Sequence, residues 1–286
     1  MNNLDLLQKR DIFYQPLLKK LSKKNIRFNH ELLLYEISLK KNEILNIKKL
    51  TKEYLLQSLN SYFNLKIGIN DFDLIKYKNL ILNLPNITPN GVVMPKKENL
   101  FFYNKLQNYL FKLMDKYMMY EICEKIELCE VRLMRSNNDS YDPNRSYSSS
   151  KIHSDTWSGN PCDSKVALYV DGDKKNTIRF FKPKKINLSF FKQKRNYETA
   201  IKNYGSIPIK FLDPNKLTIF DQACLHQTYN KNTDIRLSVD FGVILKNTKI
   251  KKIFTKRYKD RFLNKKKIST AQLRKVFNVK SIFEKY

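Results

Sequence analysis

The chain has 286 residues, 42% of them hydrophobic and 13% aromatic, enough to build a packed core and too many for disorder throughout. Its 55 basic residues against 27 acidic ones give a formal net charge of +28, yet the excess is nearly all lysine and arginine is scarce, so no specific nucleic-acid partner is expected. No run of about eighteen apolar residues is present, and the opening MNNLDLLQKRDIF lacks the apolar block of a signal peptide, so the expectation is a cytoplasmic protein with no membrane insertion.

From about Leu4 to Leu84 apolar residues recur at helical spacing, as in Leu32, Tyr35 and Leu39 and then Leu55, Leu59, Tyr62 and Phe63, which predicts amphipathic helices. Pro85, Pro89, Asn90-Gly91 and Pro95 mark a loop. A second helical stripe follows from Asn99 to about Tyr120, through Leu106, Leu110, Leu113 and Met114. Then the period changes to two: Lys125 to Met134 (KIELCEVRLM) alternates as a half-buried strand does. Ser136 to Ser150 reads as a polar surface loop, placed where a loop admitting substrate would be useful.

Short strands are expected at 166–170, 177–181, 217–220 and 237–245, separated by turn residues, a pattern that suggests a sandwich or barrel. A short helix is expected at 197–204, and a basic extension from 246 to 286 carries a capped helix beginning at Ser269. The whole reads as a single α+β domain, residues 1–286: a mainly helical flank over 1–123, a β core over 124–245, and the basic extension over 246–286. Cys123, Cys129, Cys162 and Cys224 have no CxxC spacing and read as free thiols.

The chain holds three histidines, and His153 stands two residues before Asp155 in KIHSDTW. On an extended strand, residues i and i+2 share a face, so an imidazole nitrogen and a carboxylate oxygen can meet at one point. A second imidazole from His226, in FDQACLHQT, completes two histidines and one carboxylate, the set associated with Fe(II) oxygenases that keep open positions on the metal. Ten residues on, Arg236 and Ser238 again stand at i and i+2, a guanidinium fork beside a hydroxyl that suits the far carboxylate of a dicarboxylic ligand. Taken singly, Arg236 could instead pair with Asp234 or Asp240, and His-x-Asp alone could be a surface turn.

His153-x-Asp155, His226 and Arg236-x-Ser238, in this order, resemble the Fe(II)/2-oxoglutarate-dependent oxygenase superfamily, over roughly residues 125–245. The resemblance implies a double-stranded β-helix (jelly-roll, cupin-like) core flanked by helices. It implies His153, Asp155 and His226 as ligands of Fe(II), with Arg236 and Ser238 holding 2-oxoglutarate, and dioxygen as the oxidant. The implied reaction oxidises a small molecule, by hydroxylation or a related outcome, with release of succinate and CO2. The string HSDTWSGNP further resembles oxygenases of sporadic carbohydrate-biosynthesis clusters near the phytanoyl-CoA-hydroxylase-like branch, implying a carbohydrate or sugar conjugate as substrate. Asp155 disfavours the halogenases, which replace that carboxylate, and Gly242 stands where nucleic-acid-repair members carry a second arginine.

Trp157 could stack on a sugar or belong to the core, and Thr156 and Asn160 could bond substrate or only cap the turn with Gly159 and Pro161. Arg132 is a candidate contact to substrate or cosubstrate against the ordinary fate of an ion-paired strand residue. His30 has no assigned role. The competing reading from another class is a non-catalytic basic β-barrel that binds a polyanion, with steep salt dependence and no metal requirement.

Overall fold

The computed structural model describes residues 26–29, 34–88, 91–117, 123–134, 151–155, 163–175, 177–181, 208–221, 224–229 and 234–245. The helix expected at 197–204, the loop 136–150, the extension 246–286, His30 and Cys162 lie outside these residues, as do Thr156, Trp157 and Asn160.

The elements run β1 (Ile26–Asn29), β2 (Leu34–Ser38), α1 (Lys41–Phe63), α2 (Lys78–Leu82), β3 (Val92–Val93) and α3 (Leu100–Lys116) in the first half. The second half is β4 (Cys123–Ile126), β5 (Glu130–Met134), β6 (Asp163–Gly172), β7 (Thr177–Phe181), β8 (Pro208–Phe211), β9 (Lys216–Asp221), β10 (Leu225–Tyr229) and β11 (Arg236–Leu245). They form two antiparallel sheets. The larger has the order β1-β2-β9-β6-β11-β5-β3, with β4 also on β11, and the smaller has the order β10-β7-β8. His153 joins the edge of the smaller sheet by an antiparallel bridge to His226. From β5 onward the chain therefore passes back and forth between the sheets, ending in β11 between β5 and β6.

Strand β11 shows why this arrangement makes a core and a site together. Leu237, Val239, Phe241 and Val243 point one way and are buried with Leu55, Leu59, Leu106 and Leu110 of α1 and α3. Arg236, Ser238 and Asp240 fall on the opposite face, toward the smaller sheet, because successive strand side chains alternate. Strand β6 does the same: Val166, Leu168 and Val170 belong to the helix-facing core, while Ala167 and Tyr169 join Ile178, Phe180 and Phe220 between the sheets. An apolar face held by helices thus leaves the inner face free to carry polar groups.

Helices α1 and α3 form where the apolar spacing predicts them, whereas residues 26–29 and 34–38 of the expected helical stretch are strands β1 and β2. In α1, Ile47, Leu50, Tyr54, Leu55 and Leu59 make one buried stripe, and Asn64 closes the helix in the left-handed region at φ 50°. Glu43 ties its start to the end of α3: its carboxylate accepts from the Lys40 amide at 2.7 Å and from the Tyr117 hydroxyl at 2.8 Å, and it pairs with Lys116. Buried polar tips then lock helix to sheet, Tyr54 donating to the Val93 carbonyl at 2.9 Å and Tyr103 to that of Cys129 at 2.7 Å. Cys129 and Cys224 are free thiols, as expected.

Two expectations are corrected. Tyr35 belongs to strand β2, not to a helix; Leu34, Tyr35, Glu36 and Ile37 are all buried, so both faces of the strand are covered and no period of two is visible. The stretch KIELCEVRLM is not one strand but β4 and β5, divided at residues 127–129, where the Cys129 amide turns to the Gln107 side chain at 2.6 Å. Among the described residues, no helix is long and apolar enough to cross a membrane.

Candidate metal centre

His153 and His226 face each other across the antiparallel bridge and exchange both backbone hydrogen bonds, each at 2.9 Å. Directly opposed residues of such a pair send their side chains to the same face, and the imidazole centroids lie 4.3 Å apart. Asp155, two residues after His153, brings its carboxylate to the same point: 3.6 Å from His153 Nε2 and 3.9 Å from His226 Nε2. All three ligand atoms lie within 4.8 Å of one another.

The outer contacts fix which nitrogen faces the centre. His153 Nδ1 lies 2.7 Å from the Lys151 carbonyl and His226 Nδ1 lies 3.0 Å from the Cys224 carbonyl. A carbonyl oxygen only accepts, so each Nδ1 carries the proton and donates. Each Nε2 lone pair then points inward, the tautomer and orientation that metal-binding histidines need. Donor atoms at about 2.1 Å from an ion and at right angles stand about 3.0 Å apart, so a set whose ligand atoms lie within 4.8 Å of one another would draw in by up to about 1.8 Å on binding an ion. Two imidazoles and a carboxylate on one side suit a first-row divalent metal with open positions. Burial alone would raise the Asp155 carboxyl, but His226, His153, Lys165 and Arg132 outweigh it and hold it below the usual carboxylate range.

On β11 the side chains of Arg236 and Ser238 are both buried, at 1% and 0% exposure. In register, Ser238 stands between Arg132 on β5 and Tyr169 on β6. The Ser238 hydroxyl has no hydrogen-bond partner among the described residues, a costly state for a buried polar atom. Burial pushes the Arg236 guanidinium down to about 10; Arg132 adds to the effect, and Asp240 and Tyr169 oppose it. A buried guanidinium beside an unsatisfied hydroxyl makes a fitting seat for a carboxylate.

Arg132 has the ion-paired fate. Its guanidinium reaches Glu130 at 2.5 Å and Asp240 at 2.9 Å, the second a close charge contact whose N–H is not aligned for a hydrogen bond. Asp240 is in contact with Arg132, and Asp234 lies 4.0 Å from Lys78; Asp240 also acts on Arg236 as a nearby charge. Burial raises the Asp240 carboxyl, with Arg132 and Arg236 countering part of the rise. The Glu127 side chain lies over Gly242, where an added Cβ would stand 2.0 Å from its Oε2, so a larger residue there would require the glutamate to swing aside.

Sequence reasoning missed two inner-face residues, Tyr169 and Lys165, and considered Asp240 only as a possible partner of Arg236. Asp240 had a visible signal, since it continues the alternation of Arg236 and Ser238. Tyr169 and Lys165 had none, because their facing depends on which strand pairs with β6 and in what register. Lys165 adjoins this centre: burial would lower its ammonium, but Asp155, Glu130 and Glu127 prevail and raise it.

No protein-family model matches the chain, and no curated protein matches it. Among solved structures the chain is similar to the non-heme alpha ketoglutarate dependent epimerase SnoN from nogalamycin biosynthesis, with 12% identity, TM-score 0.39, and coverage of 80% of this chain and 83% of that one. SnoN in complex with Fe3+, alpha ketoglutarate and nogalamycin RO gives 12% identity and TM-score 0.40, covering 80% of this chain and 84% of that one. AviO1 from Streptomyces viridochromogenes Tue57 gives 10% identity and TM-score 0.40, covering 79% and 94%. At these values the likeness is one of broad outline, and the chemistry open to the chain is defined by its own His153, Asp155 and His226.

Proposed function

We propose that the chain is an Fe(II)- and 2-oxoglutarate-dependent oxygenase acting on a small molecule, and that residues 1–286 form one catalytic domain around a double-stranded β-helix. The observation that supports it most is the pairing of two inward Nε2 lone pairs and the Asp155 carboxylate with the buried Arg236 and the unsatisfied Ser238 hydroxyl on β11. The alternation of the chain between two sheets, with β11 between β5 and β6, fits the jelly-roll reading.

When bound, Fe(II) with 2-oxoglutarate and dioxygen supplies oxidation of a substrate C–H bond with release of succinate and CO2. In this reading His153, Asp155 and His226 hold the metal from one side, and the two Nδ1–carbonyl bonds keep the imidazoles aimed. Arg236 gives two parallel N–H donors to the distal carboxylate of the 2-oxo acid, and the Ser238 hydroxyl donates a third hydrogen bond. Phe180 and Phe220, packed with His226 on the inner face, exclude water from one side of the centre.

A carbohydrate or sugar conjugate remains our proposed substrate class, and the basic surface favours an anionic conjugate through long-range attraction. Trp157, Thr156 and Asn160 are proposed to face it. Succinate release in the presence of nucleotide sugars and oligosaccharides tests this class; silence across them with a response to acyl or amino-acid derivatives rejects it. For the activity itself, His226→Ala should abolish 2-oxoglutarate turnover while leaving the circular-dichroism spectrum and melting midpoint intact, and retained succinate production would contradict the assignment.

A further inference from the structure

The pairing of β6 with β11 is regular except at one place, and that place adjoins Arg236. Ser238 stands opposite Tyr169, but the next residue, Leu237, stands opposite Asp171, and Arg236 opposite Gly172. Val170 is therefore an extra residue on β6, a bulge of the kind that re-aims neighbouring side chains. Val170 stays in the helix-facing core, and Asp171 also turns that way, pairing with Lys52 of α1 at 2.5 Å.

Gly172 follows with φ 98°, and a Cβ there would lie 2.2 Å from the Ile235 carbonyl oxygen and 3.0 Å from the Arg236 Cα. The backbone of β6 thus presses against the backbone at the root of the Arg236 side chain, an approach open only to glycine. The contact is tied down from the inner face: the Tyr169 hydroxyl donates to the Gly172 carbonyl at 2.5 Å, and the Asp173 amide donates to the Ile235 carbonyl at 3.1 Å.

We infer that Tyr169 and Gly172 are positioning residues for Arg236: the hydroxyl bond closes the bulge, and the bulge sets the backbone from which the guanidinium reaches the distal carboxylate of the 2-oxo acid. The inference rests on the proposed cosubstrate reading and concerns only the tail of that cosubstrate. Tyr169 and Gly172 then control selection among 2-oxo acids, and have no part in holding the metal.

The test is an anaerobic titration of the Fe(II)-loaded protein, followed by the visible charge-transfer absorbance, with two probes. One is 2-oxoglutarate; the other is 2-oxovalerate, which chelates through the same head group and has a methyl in place of the distal carboxylate. Tyr169→Phe should weaken 2-oxoglutarate about tenfold, as a small misplacement of a positioning group does, with 2-oxovalerate and Fe(II) affinities unchanged. Gly172→Ala, if it folds, should weaken 2-oxoglutarate at least as much. Unchanged 2-oxoglutarate affinity in Tyr169→Phe, or an equal loss for both probes, overturns the positioning role. Absence of a charge-transfer band with either probe in the wild-type protein would instead overturn the cosubstrate reading beneath it.

Discussion

Replacing Arg236 by methionine separates what this residue does for the fold from what it does for a ligand. The guanidinium is buried, and burial pushes it from its ordinary value down to about 10. At about 1.4 kcal/mol per unit, burial of the charge costs the free protein on the order of 3 kcal/mol. The sign follows from linkage: the folded value lies below the unfolded one, so the charged form is penalised in the folded state at every pH below about 10. The penalty fades only as pH rises through that value toward the ordinary one of the unfolded chain. Methionine removes the charge while Asp240 keeps its contact with Arg132. The metal-free variant should therefore melt at the wild-type temperature or above it. Binding should move the other way: two hydrogen bonds to a charged group, each worth about 1.5–3 kcal/mol, predict a loss of 2-oxoglutarate affinity of roughly a hundredfold or more. Thermal unfolding by circular dichroism and anaerobic 2-oxoglutarate titration read the two effects. An affinity within about threefold of wild type would refute the reasoning, since less than 1 kcal/mol would then be lost.

Ser238→Ala removes a buried hydroxyl that has no partner among the described residues; the free protein should hold its stability or gain up to about 1 kcal/mol, and 2-oxoglutarate binding should weaken about three- to tenfold. Differential scanning calorimetry and the same titration check both parts, and a marked fall in stability would show that the hydroxyl is satisfied within the fold. Asp155→Ala should reduce Mn(II) affinity by more than the roughly 10–100-fold that changes around metal ligands cost, as read by calorimetric titration; unchanged affinity would remove Asp155 from the ligand set. Burial would raise Glu43, but Lys116, the Lys40 amide and Tyr117 prevail and hold it below its ordinary 4.5. Its contribution is thus present above pH 4.5 and lost as pH falls through the folded value. Glu43→Gln should cost about 1–3 kcal/mol at pH 7 and a smaller amount at pH 3 in urea unfolding; an equal cost at both would contradict the ionised role.

Much of this was legible in the sequence because it depends on period alone. Alternation in DIRLSVDFGVIL placed Arg236 and Ser238 on one face, and the stripes through Leu55 and Leu59 and through Leu106 and Leu110 marked α1 and α3. The i, i+2 spacing of His153 and Asp155 anticipated their shared direction. What no period could show was pairing. That His226 lies directly across from His153, that Arg132 is held by Asp240, and that Val170 bulges next to Gly172 are facts of register between strands distant in the chain. Strand β2 was illegible for another reason: both its faces are covered, so Leu34 and Tyr35 carry no contrast of polar and apolar sides.

The most direct test of the metal and cosubstrate assignment is to add Fe(II) and then 2-oxoglutarate to the purified protein without oxygen and record the visible spectrum. One equivalent of each should produce a charge-transfer band that His226→Ala does not form and that Arg236→Met forms only at far higher 2-oxoglutarate. A folded wild-type protein that gives no band at saturating concentrations of both would contradict it.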